Sequence, residues 1–188
     1  MKRFSAALIF TFLLCNFTFA QTSRRPKDTS HDVEIFSGAL NTFTNLLKSE
    51  ARAQKHLARL KRFADDSQFQ YETFVRLSQR LLVARIEEED DLGLIQSSSL
   101  AENALAGDDA DFAGLALTMA DLWESNISAR AGAAILIGDG LPVYKLTAEE
   151  LKVSEDKARR IIDNASLSGK DLATVMRAAF YQNYKFSR

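Results

Sequence analysis

Glu124 is the side chain whose neighbourhood best suits acid chemistry. It follows Trp123, and a carboxyl held against an apolar wall keeps its proton near neutral pH and can pass it to a leaving group. No other titratable cluster has the spacing of a recognisable chemistry. His56 has no His or carboxylate three or four residues further on, and no Glu-x-x-His pair of the kind found in di-metal bundles occurs. Asp108, Asp109 and Asp111 lack the alternating oxygen ligands and central Gly of a calcium loop, so they read as a helix cap with solvated charge. The acidic run Glu87–Asp91 reads as a solvated turn. No metal and no cofactor are therefore expected, and Glu124 is the lone catalytic candidate.

A second group of residues has the spacing of a binding surface. Lys48, Arg52, Lys55, Arg59 and Arg62 step at four, three, four and three residues, which places five cations on one helix face roughly opposite the apolar stripe. The ridge would run about 20 Å. It suits an anionic polymer or lipid head groups, and equally a solvated face neutralised by acids elsewhere in the chain. Charge is segregated along the sequence. From Gln21 to Ile86 twelve Lys/Arg face seven Asp/Glu, whereas from Glu87 to Arg188 ten face eighteen, and eleven acids but no basic residue lie between Glu87 and Ala129. Charged stripes opposite apolar ones are the normal outside of a helix, so the solvated face is favoured. The acidic excess also argues against a general polyanion binder.

Short motifs add little. Trp123-Glu124-Ser125, followed by Ala131-Gly132-Ala133, distantly resembles the Glu-Ser motif of lytic transglycosylases. The Gly-Ala element stands too close to the Glu, and the expected Gly-Leu-x-Gln is absent. Ser154-Glu-Asp-Lys157 has the Ser-x-x-Lys spacing of penicillin-binding proteins without their Lys-Thr-Gly and Ser-Asp-Asn elements, and Ser154 reads as a helix cap. Thr147 to Glu155 resembles a helix-turn-helix, but its first helix would have only about five residues and the turn Gly is missing. No nucleic-acid partner is expected.

The elements that carry these residues follow an export signal. Met1, Lys2 and Arg3 precede the uncharged run Phe4–Ala20, and Thr18-Phe19-Ala20 has small residues where a signal peptidase reads. Residues 1–20 are expected to be a cleaved signal peptide and 21–30 a flexible lead-in, leaving 31–188 as one domain with no transmembrane segment. The only cysteine, Cys15, lies inside the removed segment, so the mature chain has no disulfide. About 168 residues are enough to bury a core without such staples. An exported periplasmic or secreted protein of a bacterial envelope is the natural reading.

Within the domain, Val33, Phe36, Leu40, Phe43 and Leu47, then Ala53, Leu57, Leu60 and Ala64, mark a long first helix to about Phe63. Phe74, Leu77, Leu81 and Ala84 mark a second, ending in the acidic run. Ser99–Glu102 and Thr147–Glu150 look like capping boxes that open further helices, and Asp108 or Asp109 caps a helix with Phe112, Leu115, Met119, Leu122 and Trp123 inward. Residues 155–164 and 169–184 complete the set. Residues 135–146 admit either helix, which is favoured, or a small β-hairpin around Gly138-Asp139-Gly140. The expectation is an all-α, bundle-like domain of five to six helices. Its expected role is non-enzymatic, binding or scaffolding another envelope protein or an anionic surface, with hydrolysis or lysis of peptidoglycan through Glu124 as the alternative.

Overall fold

The computed structural model describes residues 29–184. The expected signal peptide, the lead-in up to residue 28 and the last four residues lie outside the described residues. The described chain is helical throughout, with no strand. Its elements are α1 Thr29–Leu47, α2 Glu50–Asp65, α3 Tyr71–Val83, α4 Glu88–Leu105, α5 Asp109–Trp123, α6 Ala129–Gly138, α7 Val143–Leu151, α8 Glu155–Asp163 and α9 Gly169–Asn183.

Nine described helices replace the expected five to six, and the differences have local causes. The long first helix breaks at Lys48, which takes the left-handed conformation (φ 56°), and Ser49 opens α2 by accepting from the Arg52 N–H. Leu47 and Ala53 are six residues apart, a step that fits neither three, four nor seven, so the stripe changes phase there. The acidic run does not end α3. It opens α4, where negative charge meets the positive end of the helix dipole. Ser99 and Glu102 stand inside α4, and the Ser99 hydroxyl bonds back to the Gln96 carbonyl. Thr147 stands inside α7, so α7 is nine residues long rather than about five.

No hairpin forms at 135–146. Gly140 (φ 89°) turns the chain after α6, with its N–H on the Ile137 carbonyl and the Leu141 N–H on Leu136. That closure is a Schellman motif sealed by the buried pair Leu136 and Leu141.

The expected apolar stripes largely hold. Phe43, Leu47, Ala53, Leu57, Leu60 and Ala64 are buried, as are Phe74, Leu77 and Leu81, Phe112, Leu115, Met119 and Leu122, and Leu172, Val175, Met176, Ala179 and Phe180. Val33 is an exception at 65% exposure. The inward line at the start of α1 passes through Asp32, which meets Lys61 of α2 at 3.3 Å, and Val33 stands about 100° round from it. Ala84, just past α3, is also exposed.

α1, α2 and α3 pack on one another, and α9 packs on α4, α5, α6 and α7. Between them runs α4, against α2, α3, α5 and α9. Leu92, Leu94, Ile95, Leu100 and Ala101 are buried in all directions around it, together with Ser97, Ser98 and Ser99. The serines are small enough to let neighbouring backbones approach. The Ser97 hydroxyl turns back to the Leu94 carbonyl, so it costs little to bury. Beside α4, Phe112 stacks on Phe69 and tilts against Phe74, with ring centroids 4.7 and 4.8 Å away. Among the described residues no helix is long and apolar enough to cross a membrane.

Candidate functional site

Charged groups of α2 and α9 converge on the first turn of α4. Successive residues of an α-helix point about 100° apart, so four consecutive acids face four ways, and here each finds a different partner. Arg52 of α2 gives two hydrogen bonds to one oxygen of Glu88, at 3.0 and 2.7 Å. Arg59 of α2 donates to Glu89 at 2.8 Å. Arg177 of α9 donates to Asp90 at 3.2 Å and crosses α4 at Gly93, where a Cβ would stand 3.1 Å from its guanidinium. Asp91 faces His56 of α2, with Oδ2 3.1 Å from Nε2.

The last of these contacts belongs to a sealed cluster. His56, Ser78 of α3 and Asp91 are each 0% exposed. The Ser78 hydroxyl donates to Asp91 Oδ2 at 2.6 Å and lies 2.6 Å from His56 Nε2. On the other side of the ring, His56 Nδ1 stands 3.5 Å from Glu88 Oε1, too far for a hydrogen bond, and Phe43 of α1 tilts against the ring face at 5.3 Å. Burial pushes the Asp91 carboxyl above its ordinary range, and Glu88 adds to this, while the bonds from His56 and Ser78 pull it partly back.

Ser, His and Asp invite comparison with a hydrolytic triad, but the order is different. In a triad the carboxylate holds Nδ1 while the serine sits on Nε2 and opens to substrate. Here Ser78 and Asp91 share Nε2, the hydroxyl proton points at the carboxylate, and the serine is enclosed. Nor do the ligands converge for a metal, because Glu88 and Asp91 stand on opposite nitrogens of the ring. Among the described residues no group of three or more His, Cys, Asp or Glu could hold a metal ion. The arrangement ties α2, α3 and α4 together. Sequence reasoning missed it because the partners of His56 are 22 and 35 residues away on other helices rather than one turn along its own.

The cationic ridge divides accordingly. Arg52 and Arg59 turn to α4. Lys48 falls outside α2, at the break before it, and Lys48, Lys55 and Arg62 are all exposed, with Lys55 and Arg62 seven residues apart and close to one line along α2. Of the other histidine, His31 Nε2 lies 3.9 Å from Glu72 near the surface.

The far end of α4 has acids without cations. Glu102 is 4% exposed, and its carboxylate occupies the space that a Cβ on Gly107 would take. Burial, then the negative charges of Asp111, Asp139 and Asp108, pushes its carboxyl up to about 7. Asp108 caps α5 in a reciprocal box with Asp111. Asp109 accepts from the Gln70 N–H at 2.9 Å and the Thr73 hydroxyl at 2.8 Å.

Glu124 is exposed at the end of α5. It borders a shallow depression of about 90 Å³ together with Arg80, Asp121 and Asn126. Trp123 does not wall that depression. Its ring lies against α9, with Lys170 and Arg177 each 4.8 Å from the centroid. No protein family matches this chain, and no curated protein or solved structure does either.

Proposed function

We propose that the protein is an exported, non-enzymatic helical domain that binds or scaffolds a partner in the bacterial cell envelope. The observation that carries this reading is the division of the cationic ridge. The acidic turn of α4 engages Arg52 and Arg59, which fixes α2 as a rigid support, while Lys48, Lys55 and Arg62 point outward. Two aligned cations on a held helix, with Lys48 exposed at the break before it, suit an acidic face of another envelope protein or an anionic surface. The basic start and apolar run of residues 1–20 support export.

A second reading assigns Glu124 to hydrolysis or lysis of peptidoglycan. What favours it is the depression that Glu124 shares with Asp121 and Arg80.

One experiment separates the two. Envelope extract and purified sacculi are presented at 0.15 M salt to the mature wild type, to a Lys48→Gln/Lys55→Gln/Arg62→Gln variant and to Glu124→Gln. The expected result is retention of the same material by wild type and Glu124→Gln, and its loss from the triple variant. Equal retention by all three overturns the binding surface. Soluble fragments released from sacculi by wild type but not by Glu124→Gln establish the enzyme instead.

A further inference from the structure

We propose that the corner between α4 and α5 is a proton-operated latch: neutral Glu102 packs beneath Gly107 and holds the corner closed, and ionised Glu102 leaves for water and loosens it. The geometry of the corner supplies the parts. Ala106 takes the left-handed conformation (φ 58°), and the Gly107 N–H closes α4 on the Glu102 carbonyl at 2.9 Å. The side chain of the same glutamate fills the space under Gly107, which has no Cβ to oppose it. The backbone of the corner and the carboxyl that supports it are thus one packed unit.

The charges that bear on Glu102 come from the start of α5 and the end of α6, and all are negative. Asp108 and Asp111 belong to the cap of α5, and Asp139 closes α6. The α2–α3 loop contributes a neutral group, with Gln68 Nε2 donating to the Gly107 carbonyl at 2.6 Å. Asp109 holds the start of α3 through Gln70 and Thr73. A carboxylate placed here has no cation to meet and loses its water. Its neutral acid escapes the repulsion and loses far less hydration than the ion would. Glu102 also lies in the last turn of α4, where the helix dipole opposes negative charge. The folded state therefore holds the proton up to about pH 7. The support that the neutral acid gives is complete below the ordinary carboxyl range and is lost as pH rises through that value. Because Gln68 and Asp109 fasten the α2–α3 loop to the same corner, ionisation releases both segments together.

The test uses the whole mature domain. Side-chain carbon NMR follows ionisation of Glu102, and amide hydrogen exchange, corrected for the intrinsic pH dependence of the exchange rate, follows residues 102–111 and 67–73 between about pH 5 and 9. We expect Glu102 to titrate near neutrality, and protection of both segments to fall roughly tenfold or more across the same range. In Glu102→Gln, which stays neutral, both segments should remain protected throughout. Titration of Glu102 in the ordinary acidic range overturns the latch, and the wild-type measurement needs no variant to decide it. Constant protection through the titration overturns it too, as does an unchanged loss of protection in Glu102→Gln.

Discussion

At the start of α4, four consecutive acids meet Arg52, Arg59, Arg177 and His56, whereas three turns later Glu102 meets only Asp108, Asp111 and Asp139. Both ends are built from carboxylates, and both hold the central helix against its neighbours. They differ in the protonation state that does the holding. Helix polarity contributes at each end, since an N-terminal turn favours negative charge and a C-terminal turn opposes it. Glu89 at one end and Glu102 at the other run in opposite directions with pH, whereas Asp91, sealed beside Glu89, is pushed up by burial as Glu102 is. Glu89 is held below its ordinary value by Arg59, so its contribution is present above the ordinary carboxyl range and lost as pH falls. Glu102 contributes below that range and loses its contribution as pH rises through about 7. A carboxylate in a helical protein is thus no fixed quantity of stabilisation. Its sign depends on how deeply it is buried and on what other helices bring to it, as Glu89 and Asp91 in one turn show.

The largest test of this contrast is Asp91→Ala. It removes the acceptor that Ser78 and His56 Nε2 share and leaves those two only each other in a dry site, a loss of about 1–3 kcal/mol. Urea unfolding at pH 7 measures it, and a loss under about 1 kcal/mol would show that the clamp at the start of α4 is not what holds α2 and α3. Asp139→Asn sharpens the other end. Removing one of the three negative charges eases ionisation of Glu102, so the variant should gain on the order of 0.5–1 kcal/mol more at pH 8 than at pH 5. Thermal melts at the two values read the difference, which isolates Glu102 because any capping effect of Asn is common to both. The smallest effect belongs to Arg59→Gln. Glu89 is largely exposed, so its pair is worth under about 0.5 kcal/mol and should vanish in 1 M salt. A larger, salt-resistant loss would mean that the outer pairs of the clamp act as one network with the buried cluster.

The helical class and most core positions were legible in the sequence, because amphipathic stripes such as Leu172 to Phe180 declare their period. The helix ends were not. Among the described residues, Lys48, Arg85, Ala106, Ser125, Lys152 and Ala165 take positive φ, and Gly140 is the one glycine that does. A left-handed C-terminal residue is expected to be glycine, since other side chains lose about 1–2 kcal/mol there. Helices closed on alanine, lysine or arginine therefore run together when read from residue type. α4 was illegible for a different reason. Residues 91–102 include no exposed position and so show no polar face, and the three buried serines mimic a cap. The polar cluster was hidden by distance along the chain, whereas the anionic character of Glu87–Asp91 was plain and only its partners were not.

Trp123 is the single tryptophan of the chain, and Arg177 touches both its ring and Asp90. That makes the indole an optical reporter wired to one end of α4. An event that carries Arg177 away with Asp90 changes the charge over the ring face, and the emission of the indole moves with it. Opening at Glu102 has no such connection to the ring. Two motions of similar size would then differ in colour, one visible in a cuvette and the other dark.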